Sequence, residues 1–238
     1  MAEPTGAARR SPLNRDRVLR TAVALADAGG IEGLSMRKLA QELGVVPMAL
    51  YKHVANKEEL LDGMLDVVVG SIDRQPQGAD WKDTVRSRIL GARDTLRAHA
   101  WASQVLRSRS RPTPAVLAHL DSVIGAFRAG GLSVDLTHHV MHALGSRVLG
   151  FTQELFDSPP AEPDPSAEGS GEALAAAATL YPHVAELAGA VAHDRGSVVG
   201  QGCDDQFEFE FALDLLLDGF EKLHRQGWKS SGTGGPRR

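Results

Sequence analysis

The most constraining feature of this chain is a corner punctuated by one glycine and one proline. Ser35 can cap a short helix, Met36 to Leu43, whose Leu39, Ala40 and Leu43 form an apolar face. Gly44 ends it by supplying a left-handed C-terminal residue. Only Val45 and Val46 intervene before Pro47, which suits the first turn of a helix because its missing N–H would find no partner there. The second short helix is expected to run to Val54. A helix of about nine residues, a tight turn and a helix of about eight is the spacing of a helix-turn-helix. It is also a common way to pack two helices, so spacing alone leaves DNA binding and plain packing both open.

The flanks are helical too. Asn14 can cap a helix to about Ala28, with Val18, Ala22 and Leu25 at i, i+4, i+7 and Gly29-Gly30 as the stop. Asn56 can cap a fourth helix, with Glu59 three residues on closing a capping box, and that helix extends to Asp73. Trp81, Val85, Ile89, Leu96 and Ala100 mark a long amphipathic helix, and Arg111-Pro112-Thr113 breaks the chain. Another helix carries Val116, Leu120, Val123, Ile124 and Phe127 and stops at Gly130-Gly131; Ser133 caps the next, to Phe156. Tyr181 to His193 reads as a short helix. The last, from Asp205 to Gln226, is apolar on two stripes: Phe209, Leu213, Leu216, Phe220 and Leu223 on one, Phe207, Phe211 and Leu215 on the other. A helix buried on both sides belongs in a large core or at a subunit interface. The fold class is therefore all-α, with no strands and no internal repeat.

Composition bounds the function. With 42% apolar and 24% charged residues, the 238-residue chain is globular. A single cysteine, Cys203, excludes an intrachain disulfide and a multi-cysteine metal site, and favours a reducing compartment. The N-terminus lacks the apolar core of a signal peptide and no stretch is long enough to span a membrane, so the cytoplasm is expected. The net charge of -4 argues superficially against a nucleic-acid partner. Resolved by position, however, residues 1–57 hold nine Lys or Arg against five acids, and the remainder 17 against 25. A basic head on an acidic body fits a polyanion met by the head alone, although chance clustering on a solvated face gives the same arithmetic.

The chemistry follows from groove geometry. The major groove admits one helix, whose N-terminal side chains meet base edges while flanking polar groups grip phosphates. Pro47 and Met48 can offer apolar contact to a thymine methyl. Tyr51, Lys52 and His53 supply a phenol, an ammonium and an imidazole for backbone oxygens. Lys57 opens the next helix, where the macrodipole adds positive potential. Arg37 can reach a guanine edge. Tyr51 can equally be a half-buried core residue, and Lys52 a solvated one.

The run GIEGLSMRKLAQELGVVPMALYKHVANKEELLDGM resembles the DNA-binding region of the TetR family, and its tetracycline-repressor subgroup in particular. Arg111-Pro112-Thr113 resembles the loop that moves on induction in that subgroup. Ala143-Leu144-Gly145, Leu149-Gly150 and Glu154 fall in register with its dimerisation helix, and FEFALDLLLDGFEKL with its final helix. The resemblance implies base contacts from Arg37, Pro47 and Met48 and phosphate contacts from Tyr51, Lys52, His53 and Lys57. It implies a homodimer joined through Glu154, Phe209, Leu213, Leu216, Phe220 and Leu223, bound to double-stranded, palindromic operator DNA and released by a small-molecule effector. The expected domains are a helix-turn-helix unit, 13–58, with helix 59–73 connecting, and a ligand-binding and dimerisation unit, 74–228; the small, polar residues around Pro4 and Pro12 make 1–12 a disordered arm, the acids, prolines and glycines of 157–172 a flexible excursion, and 229–238 reads as a disordered tail.

The same register sets His138, Met141 and Gly145 against an effector cavity and aligns Arg107, Arg111 and Val123 with other cavity positions. Arg107 stands where the subgroup carries a metal-chelating histidine, and Pro47 and Met48 where it carries other residues, so neither a metal-bound tetracycline nor that operator transfers. His138 and His142 have metal-ligand spacing, but without a third ligand no metal site is assigned, and they can line the pocket or the dimer seam. There is no Gly-x-Ser-x-Gly, His-Glu-x-x-His or P-loop, so no catalytic residue or cofactor is assigned and the chain is read as a non-enzyme. The expected function is a ligand-responsive transcriptional repressor. An activator or ligand-independent regulator of the same fold is the alternative, and a small-molecule-binding helical protein with a vestigial corner the second.

Overall fold

A computed structural model describes residues 12–72, 80–150, 178–183, 185–186 and 205–230. Among these residues the structure is helical, with no strand: α1 (Arg15–Gly29), α2 (Met36–Leu43), α3 (Pro47–Leu50), α4 (Lys57–Gly70), α5 (Trp81–Ala98), α6 (Ala100–Ser108), α7 (Pro114–Ala129), α8 (Val134–Gly150) and α9 (Asp205–Arg225). The expected arm, the excursion at 157–172, Glu154, Cys203 and most of the tail lie outside the described residues, as does most of the Tyr181–His193 helix. Of that last segment, residues 182–183 and 185–186 are helical, as are 178–180 just before it.

The helix boundaries follow from local chemistry. The Asn14 side chain accepts from the Arg17 N–H at 2.8 Å, and Ser35 Oγ from Lys38 N–H at 3.2 Å, capping α1 and α2. Gly44 sits at φ 67°, ψ 36° and ends α2 in a Schellman arrangement, with its N–H on Gln41 O and the Val45 N–H on Ala40 O at 3.0 Å. The Asn56 side chain accepts from the Glu59 N–H at 2.8 Å. The returning Glu59 carboxylate accepts from Ala55 N–H at 2.7 Å, one residue earlier than the box read from the sequence.

Three sequence expectations are corrected. The second corner helix ends at Leu50, not Val54. His53 N–H bonds back to Leu50 O at 2.8 Å and Val54 N–H to the same oxygen at 3.0 Å, tightening the last turn so that buried Val54 turns the chain inward. The fourth helix ends at Gly70, short of Asp73, where Ser71 turns its N–H and hydroxyl back onto Val68 O. The long helix from Trp81 breaks at His99 (φ -125°, ψ 67°), and α6 starts beyond it. The break re-aims the apolar face: Val85, Ile89 and Ala92 of α5 are buried on one side of it and Trp101, Ala102 and Val105 of α6 on the other.

The chain divides into two compact units, Met1–Thr137 and His138–Arg238. In the first, Val18, Leu19, Ala22, Leu34, Leu39, Leu43, Leu50, Leu60, Met64 and Leu65 form one core that also takes in Trp101, Ala102 and Val105. Each fully buried leucine contributes about 1.5–3 kcal/mol. Gly63 is what lets α1 and α4 approach, since a Cβ there would stand 2.7 Å from Leu19 Cδ2. In the second unit, Phe209, Leu213, Leu217 and Phe220 of α9 are buried, and Trp228 just beyond α9 packs edge-on against His139 of α8, ring centroids 5.4 Å apart.

Candidate nucleic-acid interface

The corner presents a compact, unburied tip. Leu39, Ala40, Leu43 and Leu50 anchor α2 and α3 from beneath, so the opposite faces project outward. Met48 is 71% exposed, Val46 68% and Tyr51 44%, and Arg37, Pro47, Lys52 and Lys57 are exposed as well; His53 is half-buried. All seven residues read from the sequence as DNA contacts therefore belong to one small structural element and its flanks. Val46 was missed. Its signal was a β-branched apolar residue in the turn directly before Pro47, where no core position requires one.

Electrostatics favour an anion at this tip. Lys57 is the first residue of α4 and Arg37 the second of α2, so both stand where unpaired helix N–H groups give positive potential. Glu32, at the far end of the α1–α2 connection, is held below the ordinary carboxylate range. The Gln104 amide bond to its side chain is the first cause, a backbone bond the second, and the Lys57 charge a further one.

The residues read as effector contacts are placed less coherently. Arg107 on α6 and Arg111 before α7 are exposed, while Val123 of α7 is buried. On α8, Met141 and Gly145 are half-buried and His138 and His142 exposed, the two rings 4.6 Å apart edge-to-face. No group of three or more potential metal ligands forms among the described residues. A cleft of about 560 Å³ opens between α5 and α7, lined by Trp81, Thr84, Arg88, Asp121, Ser122 and Gly125 among others, none of which the sequence marked as a binding residue. Arg88 donates there to Ser122 O, while its Nε is buried without a partner. The α5 face that lines this cleft carries only an ordinary amphipathic pattern in the sequence.

The stripes of α9 are likewise separated by the structure. Phe209, Leu213 and Phe220 are interior to a single chain and Leu216 and Leu223 are half-buried. Phe207, Phe211 and Leu215 are 62%, 53% and 56% exposed, and the first two rings stack at 6.4 Å. No helix of the described residues is long and apolar enough to cross a membrane.

Residues 18–64 match the family model described as bacterial regulatory proteins, tetR family, and residues 75–224 the model of a tetracyclin repressor-like C-terminal domain. The HTH-type transcriptional repressor DrrR1 of Streptomyces coeruleorubidus is 33% identical over 90% of this chain and 79% of its own length. The class C tetracycline repressor protein of Escherichia coli is 28% identical, over 89% of this chain and 92% of its own. ActR of Streptomyces coelicolor is similar in structure without ligand (TM-score 0.71, 26% identity, 92% of this chain and 99% of that one) and in complex with actinorhodin (0.66, 27%, 89% and 98%).

Proposed function

The chain belongs to the tetR family of bacterial regulatory proteins, and from that premise we propose how its residues make it a DNA-binding transcriptional repressor that a small molecule releases. The observation that carries the reading is the exposed tip itself: a glycine-turned corner whose Leu39, Ala40, Leu43 and Leu50 are buried and whose outward side carries Arg37, Val46, Pro47, Met48, Tyr51 and Lys52, groups suited to a groove. Arg37, Val46, Pro47 and Met48 meet base edges. Tyr51, Lys52, His53 and Lys57 hold phosphates.

The functional unit is a homodimer. Its support is the outward row of α9, three large apolar side chains at helical spacing that no soluble monomer gains by displaying together. Two corners related by a two-fold axis call for a palindromic operator with half-sites about one DNA turn, roughly 34 Å, apart. For the effector, the candidate contacts are those the family resemblance implies: Arg107, Arg111 and Val123 in the first unit, and His138, Met141, His142 and Gly145 in the second. The effector releases DNA because it favours the form whose corners are wrongly spaced, a reciprocal coupling of about 1–3 kcal/mol or more. ActR supplies the precedent of a similar fold in complex with a ligand, actinorhodin.

The test is enrichment of duplexes from a random-sequence pool by the purified full chain, followed by salt titration. With about eight phosphate contacts per dimer, log affinity falls against log salt with slope about -7. Tyr51→Ala weakens every sequence alike, whereas Arg37→Ala changes which sequences are preferred. A flat salt response overturns the assignment.

A further inference from the structure

Helix α6 follows the corner by more than 40 residues in the chain, yet its buried face belongs to the corner's core, through Trp101, Ala102 and Val105. Around that apolar contact stand three polar links, each ending on a carboxylate of the α1–α4 segment. At the start of α6, Asp27 Oδ1 on α1 receives His99 Nδ1 at 2.8 Å and the Trp101 Nε1–H at 2.7 Å. A carboxylate only accepts, so His99 carries its proton on Nδ1. At mid-helix, Gln104 Nε2 donates to Glu32 Oε1 at 3.0 Å. Just past its end, the Arg109 guanidinium, with its side chain only 13% exposed, donates to Glu58 and, at 3.3 Å, to Asp62 on α4.

The placement of these links matters. Glu58 adjoins Lys57, the phosphate-gripping residue at the start of α4, and Asp27 lies in the last turn of α1, two residues before the connection that leads into α2. One link therefore holds each side of the recognition corner. With their carboxylate partners largely solvated, Glu58 at 68% and Asp62 at 47%, such ion pairs add little to stability, but several directional bonds around a shared core leave a rigid body few orientations.

We propose that Asp27 and Arg109 are positioning residues: through His99, Trp101, Glu58 and Asp62 they fix the angle at which the α2–α3 corner stands on α6, and so set which half-site spacing the dimer accepts. This goes beyond the contacts proposed for the corner and rests on that reading, because spacing has meaning only for a dimer bound to two half-sites. Asp27 and Arg109 touch no DNA. They act through the orientation of residues that do.

The experiment uses the full chain and a duplex enriched by the wild-type protein from a random-sequence pool. Affinity is measured by fluorescence anisotropy for that duplex and for versions with one or two base pairs inserted between the half-sites. Wild type is expected to lose about tenfold or more per inserted pair, comparable to a mismatched base pair, whereas Asp27→Ala and Arg109→Gln lose about threefold or less per pair while keeping most of the affinity at the original spacing. Trp101→Phe, which keeps an aromatic ring at the site and deletes the N–H donor, relaxes spacing in the same sense. The double change Asp27→Ala with Trp101→Phe is no worse than Asp27→Ala alone. Asp27→Asn, which keeps an acceptor for the indole, restores part of the spacing preference. Should Asp27→Ala fail to fold by circular dichroism, Trp101→Phe and Arg109→Gln carry the test. Wild-type spacing profiles in the folded variants overturn the proposal alone. Failure of the wild-type chain to enrich any DNA overturns the proposed function and this inference with it.

Discussion

The α2–α3 corner and α9 use apolar residues in opposite ways. In the corner, Leu39, Ala40, Leu43, Leu50 and Val54 are all buried inside one chain, and what remains outside is a small tip of Val46, Met48 and Tyr51 among cations. In α9, Phe209, Leu213, Leu217 and Phe220 are buried, but Phe207, Phe211 and Leu215 form a second row on the outside. A few isolated apolar atoms among cations suit the methyls and phosphates of a groove. A stripe three residues long suits another protein helix. The difference teaches that exposure has to be read together with its spacing and its neighbours before it points to a kind of partner.

Four measurements can break or sharpen that contrast. The largest effect belongs to the outward row: replacing Phe207, Phe211 and Leu215 together by serine is expected to weaken self-association by roughly 5 kcal/mol or more, taking about 1.5–3 kcal/mol for each large side chain no longer buried. Analytical ultracentrifugation reads this directly, and a sedimentation coefficient unchanged from wild type would remove α9 from the seam. Next, Phe209→Ala and Leu39→Ala delete fully buried side chains and should cost about 3–5 and 2–5 kcal/mol in chemical denaturation. Because the first acts on α9 and the second on the corner, only the second should also spread the DNA dose-response while the fold persists.

Gly44→Ala tests the corner's left-handed turn. At φ 67° an alanine pays the left-handed penalty, about 1–2 kcal/mol, visible as a lower denaturation midpoint with an unchanged slope. No loss would mean that the turn relaxes freely. The smallest effect is electrostatic. Glu32 is exposed and its folded pKa is depressed, so its contribution is present above the unfolded value and is lost as pH falls through the lower folded one. Removing the amide donor with Gln104→Ala should move the Glu32 carboxyl resonance midpoint upward, toward the ordinary range, in an NMR titration. An unmoved midpoint would leave Lys57 and the backbone as its controls.

Much of the corner was legible because its signals are local. Ser35, Gly44, Pro47 and Asn56 act within four residues of themselves, and the caps and the left-handed glycine appear at the positions their chemistry required. The shorter α3 and the shifted Glu59 bond were not legible, since both depend on Val54 being drawn into a core assembled from distant helices. The α5–α7 cleft was the least legible: a cleft is made by side chains brought together from separate helices, and Thr84 and Arg88 left no periodic trace distinguishable from an ordinary polar face.

The sequence by itself determined the helical class, the corner and its seven candidate DNA contacts, and the existence of two apolar rows on α9. It did so because capping, turn geometry and helical period are properties of neighbouring residues. Only the tertiary structure decided which row of α9 goes inward, that α6 breaks from α5 at His99, and that Asp27 and Arg109 tie α6 to the α1 and α4 sides of the corner. The tie of α6 to the corner turns on contacts between residues 47 to 74 positions apart, for which helical periodicity holds no information.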